Sequence, residues 1–133
     1  MLSGLAIDDN DPLARRDQGL EFLDVTSQAA AEKISSDSHG GRQTDEYRIT
    51  NRGESVVDTH LLIIVRGLPH DTELENASRT THSGDPYIRV FLPDGVLQPG
   101  QNIVQMLILK RPGGNNAPPV NYFLDLLSGQ GNP

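Results

Sequence analysis

A chain of 133 residues makes one domain of ordinary size and is too short for two that each bury a sizeable core. Hydrophobic residues at 35% and aromatic residues at 5%, with 13 Gly and 9 Pro, favour many short strands joined by turns over long helices. A net charge of −7 argues against nucleic acid or an anionic bilayer as partner, and the lack of Cys excludes disulfides, thiolate metal sites and cysteine nucleophiles.

Residues 1–23 read as a linker or appended segment. Asp11 as cap and Pro12 at a first helical position allow one short helix there, ended by Gly19. Residues 28–33 mix alanine with β-branched flanks and form an irregular first strand, closed by the turn cluster 36–41. Residues 42–50 alternate, with Tyr47 and Ile49 on one face and Glu46, Arg48 and Thr50 on the other, and Asn51, Arg52 and Gly53 turn the chain. Strands follow at 57–66, 73–77, 87–92, 103–109 and 120–127, each bounded by Gly, Pro, Asn or Asp. Apolar run 61–65, the longest, is too short to insert in a membrane. About seven strands with turn signals every ten residues or so predict an all-β antiparallel sandwich over 24–133.

The punctuation has a family look. Ile49, Thr50, Asn51 and Arg52, then Val65 with Gly67, Leu68 and Pro69, then Leu74 with Asn76 and Ala77, then Leu97, Pro99 and Gly100, and finally Tyr122 with Leu126, Leu127, Ser128 and Gly129 recur in this order. Together they resemble the immunoglobulin-like or fibronectin-type-III-like modules strung along large bacterial secreted and surface proteins. The resemblance implies an immunoglobulin-like sandwich outside the cell or on its surface, acting as a spacer or a protein-interaction or adhesion domain. It carries no catalytic residues across. A carbohydrate-binding module of a secreted enzyme is the alternative, although without Trp the chain has few aromatics to stack on sugars.

No constellation suggests a reaction centre. His39, His60, His70 and His82 lack metal-ligand spacing, and Ser83 sits in a turn-forming sequence instead of a strand–elbow–helix. Asp8, Asp9 and Asp11 are oxygen ligands of the type calcium takes, but without the glycine and terminal glutamate of a complete loop they read as a solvated linker or helix cap. No cofactor is expected. Asn76, Ala77 and Ser78 form a glycosylation triplet, which matters only in a secretory host.

The informative feature is an excess of apolar residues. If the resemblance sets the register, Leu61, Ile63, Val65, Ile103, Leu107, Leu109, Val120, Tyr122, Leu124 and Leu126 point inward. Leu62, Ile64, Val104, Met106, Ile108, Phe123 and Leu127 are left on the other faces. With the third, sixth and seventh strands side by side in one sheet, as the resemblance implies, these seven form one outer patch that binds a neighbouring domain or another protein. The competing expectation is that the N-terminal stretch, with Leu2, Leu5, Ile7 and Leu13, folds back over the patch. For a partner-facing patch, Ile64→Asp and Met106→Asp both abolish association and leave the fold intact.

Overall fold

The computed structural model describes residues 22–112 and 118–133. The chain order is β1 (Leu23–Asp24), β2 (Ala29–His39), β3 (Arg42–Asn51), β4 (Val57–Asp58), β5 (Leu61–Arg66), β6 (Glu73–Leu74), β7 (Arg79–Thr80), β8 (Pro86–Val90), β9 (Val96–Leu97), β10 (Asn102–Lys110) and β11 (Phe123–Ser128). One short 3₁₀ turn, Pro93–Gly95, interrupts them. A five-stranded sheet in the order β1-β11-β5-β8-β7 packs on a four-stranded sheet in the order β2-β3-β10-β6. The β4-β9 ladder sends Val57 and Leu97 into the same interior, and every strand pairing is antiparallel. The protein is an all-β sandwich.

Alternation decides which side chains make the core. Leu61, Ile63 and Val65 of β5 and Leu124 and Leu126 of β11 meet Ile49 of β3 and Ile103, Leu107 and Leu109 of β10, with Val120 and Tyr122 beside them. That is the inward set expected with the register taken from the resemblance, and each full burial contributes about 1.5–3 kcal/mol.

Several boundaries differ from those expected. Strand β2 runs on through residues 36–39, so the turn shrinks to Gly40 and Gly41, with φ of 60° and 81°. Two central residues at positive φ are what a two-residue hairpin turn needs, and glycine takes that conformation without a Cβ penalty. The single strand expected over 57–66 is broken between β4 and β5, because His60 turns at φ 57°. Its N–H reaches Gly95 O at 2.9 Å, and its Nδ1 accepts the Leu92 N–H at 3.0 Å. The short helix proposed after Asp11 lies outside the described residues.

The Asn51 turn shows why its motif is written as it is. Asn51 is fully buried; its Nδ2 donates to Ser55 O at 2.8 Å and Leu97 O at 2.9 Å, and its Oδ1 accepts Gly53 N–H at 2.9 Å. Gln28 Nε2 adds a fourth bond at 3.3 Å, so this one amide ties the β3 end to β2, β9 and its own turn. Asn51→Ala strands several buried groups at once, and it is expected to cost about 2–3 kcal/mol in a urea unfolding series.

Candidate functional site

The seven residues expected to form one patch are divided by the topology. Strand β10 pairs with β3 and β6 in the four-stranded sheet, whereas β5 and β11 lie together in the other. Val104, Met106 and Ile108 therefore face outward from one side of the sandwich, and Leu62, Ile64, Phe123 and Leu127 from the opposite side. The single-patch expectation fails because the sheet order is not the one the resemblance implies, and alternation fixes only which face a side chain takes, not which strand lies beside its own.

On the five-stranded sheet the outer face is mostly closed by the chain itself. Leu62 and Ile64 are 0% and 1% exposed and form a second small core with Tyr87, packed by Phe22 and Leu127. Residues 129–133 cross this face. Arg89 donates to Gly129 O at 3.3 Å and also to Gly131 O, the Tyr87 hydroxyl donates to Asn132 Oδ1 at 2.5 Å, and the His82 N–H bonds Pro133 O at 3.0 Å. Beyond this strap, Arg66 is shared by Asp125 and Asp85. Phe123 rests on the Gly67 backbone and remains 58% exposed.

The outer face of the four-stranded sheet is open. Val104 and Met106 are 50% and 41% exposed, opposite Arg48 and Glu46 of β3. The adjoining edge of β10 is blunted by side-chain amides. Asn76 donates to Met106 O at 2.8 Å and accepts the Ile108 N–H at 3.0 Å, and Gln105 Nε2 donates to Met106 O at 2.9 Å. Those bonds occupy backbone groups that an added strand would need. They also occupy Asn76 Nδ2, the atom a glycan would take.

Between β2, β3 and the chain entering β11 lies a polar cluster that the sequence reading did not single out. Asp45 is fully buried and accepts hydrogen bonds from the Ser36 hydroxyl at 2.5 Å, Gln43 Nε2 at 2.9 Å and the Tyr122 hydroxyl at 2.5 Å. Lys33 Nζ stands 3.4 Å from the carboxylate, and the Tyr47 hydroxyl donates to that of Tyr122 at 2.9 Å. Gln43 also clamps the Val120 backbone, accepting its N–H at 2.8 Å and donating to its carbonyl at 3.4 Å. Burial alone would raise the Asp45 pKa, but the three hydrogen bonds and Lys33 together outweigh it and hold the carboxyl below the usual aspartate range. Burial, with Asp45 and Tyr47 adding to it, pushes the Tyr122 hydroxyl up, so it stays a donor.

Because the folded-state pKa of Asp45 is depressed, its contribution is present above the unfolded value of about 3.9 and is lost as pH falls through the folded value. Acid unfolding of the wild type is expected to be steeper below pH ~4 than that of Asp45→Asn, followed by circular dichroism. Identical acid limbs would show that Asp45 is not ionised in the fold. The signal for this cluster was present in the sequence: Gln43 and Asp45 share the inward parity of Tyr47 and Ile49.

The remaining candidates stay dispersed. A cleft of about 720 Å³ between β6 and β7 is lined by His70, Glu73, Leu74, Arg79 and Thr80, and no ion pair joins its charges. Ser83 bonds the Thr81 hydroxyl at 2.9 Å and Asp85 at 3.4 Å within its own turn. Among the described residues no three His, Asp or Glu side chains gather as a metal cage, and Asp8, Asp9 and Asp11 lie outside them. No helix of the described residues is long and apolar enough to cross a membrane. No family model matches the chain, and no curated protein matches it with significance.

Proposed function

We propose that the chain is a non-catalytic β-sandwich module of a larger secreted or surface protein, serving as spacer and as a protein contact surface. The observation that carries the reading is the contrast between the two outer faces. One has Leu62 and Ile64 buried with Tyr87 against Phe22 and Leu127; the other leaves Val104 and Met106 exposed between charged neighbours. The buried ionisable cluster supports it too, since Asp45 spends its hydrogen bonds on holding β2, β3 and residues 120–122 together. With the β10 edge blunted, contact through this surface is made by side chains of the sheet face and not by strand addition.

The bacterial and immunoglobulin-like character belongs to the same proposal and rests on the turn motifs alone; the sheet order, with β10 beside β3 and β6, differs from the one that resemblance implies. Antibody raised against the folded domain is expected to label intact cells of the source organism. Labelling that appears only after permeabilisation would contradict a secreted or surface role.

A further inference from the structure

Strands β1 and β11 run antiparallel with Leu23 opposite Ser128, so the chain enters and leaves this sheet side by side at one end. Residues 129–133 do not depart there. The registers put Arg89 beside Leu62 and Tyr87 beside Ile64, and these pair in turn with Leu127 and Asp125 of β11. His82 lies further along, past Thr81, whose N–H bonds Asp85 O at 2.7 Å. Held by Arg89, then Tyr87, then the His82 N–H, the strap therefore carries the chain from the Ser128 end of the sheet to the Phe123 end. That is five residue steps of β11, or about 17 Å at about 3.4 Å each.

We propose that this strap makes the domain a load-bearing element in line with the chain. Tension applied at Phe22 and Ser128 would peel β1 from β11 one bond pair at a time, because both points lie at the same end of an antiparallel pair. Tension applied at Phe22 and Pro133 enters at opposite ends. It draws β1 along the axis of β11, so the bonds from Val25 and Thr26 to Leu126 share the load with those of Leu23 and Asp24. Arg89, Tyr87 and His82 are the residues that convert peeling into shear. The inference deepens the spacer reading and rests on it, since only a spacer is under tension from both sides.

The chain has no Cys, so introduced pairs can carry pulling handles without background labelling. Glu21→Cys with Pro133→Cys pulls through the strap, and Glu21→Cys with Gln130→Cys bypasses most of it. In single-molecule pulling, the first pair is expected to give a high-force rupture that the second lacks. Adding Arg89→Ala and Tyr87→Phe should abolish the high-force peak of the first pair and lower the second pair's force far less, since only the Arg89 bond to Gly129 O lies within its span, which separates loss of the strap from general destabilisation. Equal forces for the two pairs, or a high-force peak that survives both substitutions, would overturn the proposal. Failure of the cell-labelling test would remove the spacer role while leaving the difference in force between the two pairs intact, so the two readings fail separately.

Discussion

Ile64→Asp is expected to unfold the domain or remove about 4 kcal/mol or more of its stability, a large share of the roughly 5–15 kcal/mol that holds a domain of this size. Ile64 is 1% exposed, packed with Leu62 and Tyr87, whose hydroxyl holds the strap at Asn132. A carboxylate there would lose both its hydration and the apolar contacts of the isoleucine. Its cross-strand neighbour is Asp125, which would repel it, and the nearby Arg66 already serves Asp125 and Asp85. Met106→Lys makes the contrast. It sits on the open face opposite Glu46 and is expected to change stability by no more than about 0.5 kcal/mol. Chemical denaturation of both variants checks this. A soluble, fully folded Ile64→Asp would mean that the strap does not close over that face. The expectation that Ile64→Asp and Met106→Asp would behave alike, as two edges of one contact patch, is corrected by the sheet order.

Asp45→Ala is expected to cost about 3 kcal/mol or more, because several donors lose one shared acceptor at about 1–3 kcal/mol each. The loss comes less from the attraction forgone than from what is left behind: the Ser36 and Tyr122 hydroxyls, the Gln43 amide and Lys33 would all face a site without their acceptor. Tyr122→Phe removes one donor and is expected to cost only about 1–2 kcal/mol. The double variant should cost less than the sum of the two, because the Tyr122 hydroxyl loses its value once the carboxylate is gone. Strict additivity in urea unfolding would show that Asp45 and Tyr122 do not act together.

Much of this molecule could be read from its sequence, and the reasons for the rest are physical. A period of two divides residues 61–65, 103–109 and 120–126 into two faces, but with both faces largely apolar it is the register taken from the resemblance that chooses the inward one. That pattern is silent about pairing, and the neighbours taken from the immunoglobulin-like resemblance place β10 beside β5 and β11, whereas it lies between β3 and β6. Strand β2 runs past the expected 28–33: Ser36, Asp37 and Ser38 carry turn-forming side chains, yet pairing with Asp45 to Arg42 of β3 holds the chain extended through His39 as far as Gly40. The Asp45 cluster was visible as polar residues on the inward parity of β3, but its closure needed Tyr122, seventy-seven positions away in sequence. Residues 129–133 have no periodicity at all, and the sequence alone offered no sign that Arg89 and Tyr87 would hold them.

The most direct test of the account is to end the chain at Ser128 and follow thermal unfolding together with binding of a hydrophobic dye. If residues 129–133 are what closes the outer face of the five-stranded sheet, the shortened protein melts at a lower temperature and binds the dye at temperatures where the full chain does not, as Leu62, Ile64 and Tyr87 meet solvent. An unchanged melting temperature with no gain in dye binding would contradict the account.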